Sequence, residues 1–218
     1  VISRLADRCA ASLQAWDPGE EGGHAVADIL YGKVSPSGKL SVSYPKEELN
    51  VPICYNRSTA QDSRVEWPFG YGQSYTSFAY SNLEMTDEAK TDEDSFTLRF
   101  RVTNTGQRDG DEIAQLYLSP ADDKLPVRPI QLQGFARVSL KAGETKTVTM
   151  KVYTEQLGYY SHEQQRQWNV VPGNFVLKVA ASSQDIRLQH PLTLKGKTVV
   201  KPLRDHYFSE ALVQGEKE

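Results

Sequence analysis

The stretch Phe96-Thr97-Leu98-Arg99-Phe100-Arg101-Val102-Thr103 decides the fold class of this chain. Apolar and polar residues alternate along it, which is the period-two pattern of a β-strand with one buried face. Turn-forming residues follow at Asn104-Thr105-Gly106 and Asp109-Gly110. The chain is therefore expected to reverse direction soon after this strand, as it does in an antiparallel sheet.

Six further segments have the composition of short strands, and turn residues separate them. They are Ala79–Met85, Ile113–Ser119, Ile130–Val138, Thr145–Tyr153, Phe175–Ala181 and Ile186–Leu194. Strands at this spacing are typical of a sandwich of two antiparallel sheets. Both cysteines, Cys9 and Cys54, precede this region, so the inter-sheet disulfide of antibody domains is absent from it. We predict a mainly β fold with a fibronectin type III-like (immunoglobulin-like) sandwich.

The first 45 residues have a different pattern, typical of an α/β domain. Ala10–Trp16 has the composition of a short apolar strand, and helical patterns flank it at Ile2–Arg8 and Gly23–Tyr31. A central strand of this kind needs parallel neighbours, and the adjacent sequence contains no set of them. We predict that residues 1–45 are the remnant of an α/β sandwich domain, completed upstream or by another chain. An unpaired strand edge also favours association, so that partner or an oligomer is expected.

An aromatic tether is predicted at residues 46–77, where proline, glycine and aromatic residues interrupt any periodic pattern. So many aromatic residues argue against a free disordered linker. The rings expected to pack between the domains, with stacking on sugar rings as the alternative, are Trp67, Phe69, Tyr71 and Tyr75.

The remaining residues divide into the predicted sandwich, 78–195, and a polar tail, 196–218. Within the tail, a short helix is predicted to dock on a surface through the apolar side chains of Tyr207, Phe208, Leu212 and Val213.

Composition excludes several classes of protein. The formal net charge is −3, whereas nucleic-acid-binding domains usually carry a basic patch. No apolar run approaches the roughly 20 residues that span a bilayer, so neither nucleic acid nor membrane is an expected partner. The two cysteines and four histidines lack the spacing of metal ligands, and we predict no metal and no cofactor. Two free, partly buried thiols are favoured over a disulfide.

Asp109, Asp111 and Glu112 form an acidic cluster beside a predicted turn, and Asp122 and Asp123 lie close in sequence. Calcium binding is one interpretation. The spacing of an EF-hand is absent, so we favour a turn with solvated carboxylates.

Several motifs resemble glycoside hydrolase family 3, and they occur in the family's order. The end of that family's second domain is similar to Ala15-Trp16-Asp17-Pro18-Gly19-Glu20-Glu21-Gly22-Gly23, Ala27-Asp28-Ile29-Leu30-Tyr31-Gly32 and Pro36-Ser37-Gly38-Lys39-Leu40. The segment that follows it resembles Pro68-Phe69-Gly70-Tyr71-Gly72-Gln73-Ser74-Tyr75-Thr76. The family's fibronectin type III-like domain is similar to Val102-Thr103-Asn104-Thr105-Gly106, Gln115-Leu116-Tyr117 and Leu132-Gln133-Gly134-Phe135.

The resemblance implies the C-terminal part of a retaining β-glucosidase or β-xylosidase that acts on β-linked oligosaccharides. Such enzymes carry a nucleophilic aspartate in an N-terminal barrel and an acid/base glutamate in the second domain, upstream of the motifs quoted above. We therefore assign no catalytic residue in this chain, and expect a supporting role without a complete active site. A periplasmic or secreted setting is implied as well. The alternative is a non-catalytic β-sandwich module that binds carbohydrate or protein.

Glu20, Glu21 and Trp67 are the candidates for the rim of a sugar pocket. The two glutamates follow a predicted strand, and ligands of open α/β sheets gather at the carboxyl ends of strands. The glycines around them also fit a structural loop, which is the interpretation we favour for both glutamates.

Overall fold

The computed structural model describes residues 8–47, 52–57, 63–121, 124–161 and 166–215. They contain one α-helix, α1 (Gly22–Leu30), two short 3₁₀ turns (Tyr55–Arg57 and Thr154–Leu157) and thirteen β-strands. The strands are β1 (Tyr44–Pro45), β2 (Val65–Trp67), β3 (Phe78–Met85), β4 (Ser95–Asn104), β5 (Gly110–Pro120), β6 (Gln131–Leu140), β7 (Thr145–Tyr153), β8 (Tyr159–Ser161), β9 (Gln167–Val170), β10 (Gly173–Ala180), β11 (Ile186–Leu194), β12 (Val199–Lys201) and β13 (Glu210–Gly215).

Two four-stranded antiparallel sheets form the sandwich, in the orders β11-β10-β5-β6 and β13-β7-β4-β3. The alternation that decides the fold class is seen directly in β4. Phe96, Leu98, Phe100 and Val102 are each at most 1% exposed, and burying a large apolar side chain contributes about 1.5–3 kcal/mol. These side chains meet residues of the opposite sheet such as Leu116, Phe175 and Leu177 in one core. The mainly β, fibronectin type III-like fold is confirmed.

All seven predicted strands of the sandwich are present. Thr145–Tyr153 and Ile186–Leu194 have the predicted bounds, and the other five differ by a few residues at their ends. The remaining six strands are short or lie outside the predicted sandwich, and the sequence does not predict them. They are β1, β2, β8, β9, β12 and β13.

The predicted helix in the tail is wrong. β12 pairs with β9, and β13 pairs with β7 over six residues on the edge of one main sheet. Val213 lies opposite Val148 and packs against the core. Pairing satisfies the backbone groups that β7 would otherwise expose, and this outweighs the helix-forming tendency of the segment.

The predicted strand at Ala10–Trp16 is also wrong for this chain. Residues 8–21 are exposed, and residues 11–16 have neither helix nor strand. A strand needs a neighbour for its ladder hydrogen bonds, and the described part of the chain places none beside this segment. The predicted helix Gly23–Tyr31 is confirmed as α1, whereas the one at Ile2–Arg8 lies outside the described residues except for Arg8.

The tether is packed on the outer face of the β5–β6–β10 sheet. Tyr55 and Phe69 stack with centroids 4.2 Å apart, and Tyr55 meets Tyr117 edge-on at 6.2 Å. Leu132 N donates a hydrogen bond to Tyr55 Oη at 3.1 Å. This cover explains why β5 is buried on both faces from Ala114 to Ser119. The division of the chain at residues 45, 77 and 195 stays a prediction.

Candidate functional site

Residues 38–46 and 64–72 form an antiparallel ribbon centred on β1 and β2. Tyr44 of β1 lies opposite Trp67 of β2. Further backbone hydrogen bonds run from Leu40 N to Tyr71 O (2.8 Å), from Gly70 N to Leu40 O (2.7 Å) and from Lys46 N to Arg64 O (2.8 Å). The predicted tether therefore has a regular pairing partner in the segment that precedes it.

Three aromatic rings follow one another along this ribbon, and we call Trp16, Tyr44 and Trp67 the aromatic ladder. The Trp16 and Tyr44 centroids are 6.2 Å apart at an interplanar angle of 57°. Tyr44 and Trp67 are 5.8 Å apart at 66°. These are the tilted and edge-to-face arrangements that aromatic pairs prefer. Trp16 is 54% exposed, so one end of the ladder is open.

The loop that carries Trp16 contains left-handed backbone conformations and one close approach between residues. Trp16 has φ +52°, and Gly19 has φ +69° in the turn that follows. The left-handed conformation costs a residue with a side chain roughly 1–2 kcal/mol. Gly22, the first residue of α1, is buried, and a Cβ there would lie 2.6 Å from Pro18 Cγ. The glycines of this loop therefore serve turn geometry and close approach.

The structure places two of the predicted rim residues on the exposed turn before α1, in the same loop as Trp16. Glu20 and Glu21 are both exposed. Glu21 Oε2 lies 2.8 Å from His24 Nδ1, with both side chains more than 80% exposed, and such surface pairs contribute little stability. The third candidate, Trp67, is half-buried within the aromatic ladder. Their place at a substrate rim stays a prediction.

A nearly buried ion pair joins the ribbon to the sandwich. Lys39 Nζ lies 3.3 Å from Glu112 Oε1 and donates to Gly72 O at 3.0 Å. The Lys39 and Glu112 side chains are only 12% and 6% exposed. Tyr80 Oη donates to the same carboxylate oxygen at 3.0 Å. Burial and the Glu112 carboxylate raise the pKa of Tyr80 well above its usual value, so this hydroxyl remains a donor.

The predicted cluster of solvated carboxylates is therefore wrong for Glu112. Adjacent residues of a strand point to opposite faces, so Asp111 turns outward to Arg137 while Glu112 turns inward. Asp109 accepts a hydrogen bond from Ala142 N at 2.9 Å. Asp122 and Asp123 lie outside the described residues. Among the described residues, no three His, Cys, Asp or Glu side chains are grouped as metal ligands.

Gln115 provides a second buried connection to the ribbon. Its Nε2 donates to Gly70 O at 3.0 Å and to Ala181 O at 2.8 Å, and its Oε1 accepts from Tyr117 Oη at 2.6 Å. Gly70 has φ +80°, and a Cβ at this position would collide with Gln115 Oε1. Gln115 belongs to one of the family motifs in the sequence, but nothing local indicates its contacts with the distant residues Gly70 and Ala181.

A third connection joins the end of α1 to the sandwich. Tyr75 Oη donates to Ile29 O at 2.9 Å. The Arg108 guanidinium lies 5.5 Å from the centre of the Tyr75 ring and also hydrogen-bonds Gly32 O. Helix, ribbon and sandwich are thus held together by three separate sets of contacts.

Two other sequence expectations concern cysteines and membrane spans. Cys9 and Cys54 are free and exposed, so the prediction that they are partly buried is wrong. Within the described ranges, no helix has the length and apolar character required to cross a membrane.

Two family models match the two halves of this architecture. The glycosyl hydrolase family 3 C-terminal domain matches residues 1–75, which include α1 and the ribbon. The fibronectin type III-like domain matches residues 112–183 of the sandwich. The chain belongs to glycoside hydrolase family 3. It carries the C-terminal domain of the β-glycosidase-like proteins in this family of carbohydrate hydrolases.

Curated relatives of the chain include β-glycosidases of several bacteria. A periplasmic β-glucosidase of Salmonella typhimurium is 33% identical over 196 residues, which are 81% of this chain and 25% of the relative. A xylan 1,4-β-xylosidase of Xylanibacter ruminicola is 37% identical over 185 residues, 82% of this chain and 21% of the relative. The chain thus spans about a quarter of the length of the curated relatives that it matches.

Solved structures agree with the sequence relatives. A β-glucosidase from Listeria innocua in complex with glucose superposes with a TM-score of 0.82 at 30% identity, covering 90% of this chain and 29% of that one. β-Glucosidase 3B from Thermotoga neapolitana, in complex with glycerol, gives a TM-score of 0.77 at 27% identity, covering 86% and 28%.

Proposed function

We propose that this chain is the C-terminal supporting part of a retaining β-glycosidase and has no complete active site of its own. The observation that carries the proposal is the match to a quarter of each relative, joined to an exposed apolar face on the α/β remnant. Most of the relatives are named as β-glucosidases or β-xylosidases, and two as exo-α-(1→6)-L-arabinopyranosidases. The substrates proposed for the whole enzyme are therefore β-linked oligosaccharides that end in glucose or xylose.

Carboxylate placement supports the absence of a complete site. A retaining glycosidase uses two carboxyl groups about 5–5.5 Å apart, one as nucleophile and one as acid/base. Glu112 forms an ion pair with Lys39 and lies where the ribbon contacts the sandwich. Glu20 and Glu21 are neighbours on one exposed turn. We assign neither catalytic role to any of them.

The exposed apolar face gives the supporting role a physical basis. Apolar side chains on the exposed segment 8–21, on α1 and on the loop after it face solvent. They include Leu13 (41% exposed), Leu30 (67%), Tyr31 (85%), Val34 (52%) and Val42 (49%). Large exposed apolar areas mark interaction sites. The occupant we propose is the remainder of the α/β domain, because the apolar segment Ala10–Trp16 has no strand beside it in the described chain.

A chimera tests this proposal. The matched C-terminal quarter of the Salmonella β-glucosidase is replaced by residues 1–218, and hydrolysis of nitrophenyl β-glucoside and β-xyloside is measured. We expect turnover by the chimera and none by the 218 residues alone. The double variant Leu30→Asp/Tyr31→Asp should lose most of the chimera's activity. Leu212→Asp, at an exposed apolar position on β13 (55% exposed), should retain it.

Two results contradict the proposal. One is enzymatic turnover by the isolated chain. The other is a folded, monodisperse chimera that lacks activity. The alternative function, a non-catalytic carbohydrate- or protein-binding module, would gain from the second result. The observation that favours this alternative is the open aromatic ladder.

A further inference from the structure

We propose that the aromatic ladder is a stacking site for a pyranose ring of a β-linked oligosaccharide. The inference deepens the proposed function and rests on it for the class of sugar. The apolar face of a pyranose presents C–H groups that pack against aromatic rings. Trp16 supplies an accessible ring at the open end, and Tyr44 and Trp67 continue the aromatic surface into the ribbon.

Two rings of the aromatic ladder are held in place by backbone pairing. Tyr44 and Trp67 face each other across the paired strands β1 and β2. Phe69 N donates to Ser43 Oγ at 3.1 Å, which closes the ribbon just beside them. A rigid binding surface loses little conformational entropy when a ligand binds. This favours a ligand that is itself small and fairly stiff, such as a sugar ring.

The backbone at Trp16 gives an independent observation. A bulky residue with φ +52° is a genuine outlier. Such strained residues concentrate at ligand sites and persist where the surrounding structure fixes them. The Trp16 indole lies next to Tyr44 at the end of the ribbon, with the ring centroids 6.2 Å apart.

Carboxylates on the same loop are suited to a sugar ligand. Asp17, Glu20 and Glu21 are exposed within a few residues of Trp16. Carboxylates accept hydrogen bonds from sugar hydroxyl groups, and small-molecule sites combine apolar linings with a few polar groups.

The three tryptophans allow a direct test on the 218-residue chain. The indole N–H resonances of Trp16, Trp67 and Trp168 are followed by NMR during titration with laminaribiose and with cellobiose. We expect saturable shifts at Trp16 and Trp67, with a dissociation constant on the order of millimolar. Trp168 should stay unchanged, because it packs against the sandwich core and donates to Glu155 O at 2.7 Å. Myo-inositol, a polyol without a pyranose ring, should leave all three resonances unchanged.

Variants separate stacking from a general effect on the loop. Trp16→Ala should raise the dissociation constant measured from the Trp67 resonance at least tenfold. Trp16→Phe should keep much of the affinity, because an aromatic ring remains. Tyr31→Ala, at an exposed aromatic residue on the apolar face, should bind as the parent does. The unperturbed Trp168 resonance reports that each variant is folded.

The proposal is overturned by unchanged Trp16 and Trp67 resonances at 100 mM disaccharide. Equal shifts with myo-inositol, or undiminished binding by Trp16→Ala, overturn it as well. Failure here is distinguishable from failure of the proposed function. An active chimera combined with no sugar-induced shift in the 218-residue chain contradicts only the proposed stacking site. A sugar-induced shift combined with an inactive chimera supports the stacking site and contradicts the supporting role.

Discussion

Lys39 Nζ lies 3.3 Å from Glu112 Oε1, at the point where the ribbon meets β5 of the sandwich. Both side chains are almost excluded from solvent, so each ion has lost most of its hydration. A buried pair of this kind adds little net stability over apolar residues, whereas removal of one partner leaves an isolated buried charge. The pair therefore fixes the position of the ribbon relative to the sandwich. Any arrangement that separates the two charges is unfavourable.

Lys39→Met should destabilise the chain by about 3–5 kcal/mol, because Glu112 would remain buried without its cation. The double variant Lys39→Met/Glu112→Leu should recover a large part of this loss. Urea unfolding of both variants measures the difference. Lys33→Met is the matched control: its partner Asp28 is 3.0 Å away, but the two side chains are 73% and 40% exposed. We expect at most about 1 kcal/mol there. Equal losses at positions 33 and 39 would contradict the structural role assigned to the buried pair.

Gly70→Ala should be more destabilising than Gly143→Ala, although the two glycines have nearly the same φ, +80° and +78°. Both substitutions carry the cost of a left-handed conformation, roughly 1–2 kcal/mol. Only Gly70 adds a collision with Gln115, whereas a Cβ at Gly143 meets nothing within 4 Å. The thermal unfolding midpoints of the two variants measure the contribution of the Gln115 contact. Similar midpoints would show that Gln115 can move aside without loss.

The β4 strand could be predicted from the sequence because its alternating pattern of apolar and polar residues lies within one short segment. Eight alternating residues fix which side chains enter the core, whatever their partners are. The ribbon could not be predicted, since β1 and β2 have two and three residues. No periodic pattern can be seen in segments so short. Nothing in the sequence indicates that Tyr44 faces Trp67.

Glu112 and β13 show why the rest was missed. Glu112 was grouped with Asp109 and Asp111 because they are neighbours in sequence, whereas a strand sends neighbours to opposite faces. Its partner Lys39 comes from a distant segment. β13 is specified by its pairing with β7 rather than by its own composition. The burial of Glu112 and the formation of β13 both depend on contacts between distant segments. Such contacts cannot be predicted from the local pattern of a single sequence.

Removal of β13 should unfold or aggregate the sandwich. A chain that ends at Ser209 would expose one edge of β7 and leave Val148 without its neighbour Val213. Exposed edges of this kind invite pairing with other chains. Size-exclusion chromatography and circular dichroism should show a loss of monomer. A chain that ends at Gly215 keeps β13 and should behave as the parent. A stable monomer ending at Ser209 would mean that β13 is an accessory strand.

A second buried carboxylate ties the segment before β13 to the sandwich. Glu155 is 5% exposed, and four donors reach it. They are Lys201 Nζ at 3.0 Å, Asp205 N at 3.0 Å, His206 N at 2.6 Å and His206 Nδ1 at 2.6 Å. Burial alone would raise the pKa of this carboxyl, but the hydrogen bonds from Lys201, His206 and Asp205 outweigh it and lower the pKa from 4.5 to about 2.

Glu155→Gln should therefore destabilise the chain most near neutral pH, and the difference should disappear in acid. The folded state holds the ionised form, so its contribution is complete above the unfolded pKa of 4.5 and is lost as the pH falls toward about 2. The full effect is on the order of 3 kcal/mol at about 1.4 kcal/mol per pKa unit. Urea unfolding of parent and variant at pH 6, 4.5, 3.5 and 2.5 measures it. Thr105→Ala removes an exposed hydroxyl that donates to the backbone atom Ser77 O at 3.1 Å, and it serves as a control without this pH dependence. A difference between parent and Glu155→Gln that stays constant from pH 6 to 2.5 would show that the hydrogen bonds of Glu155 do not depend on its charge.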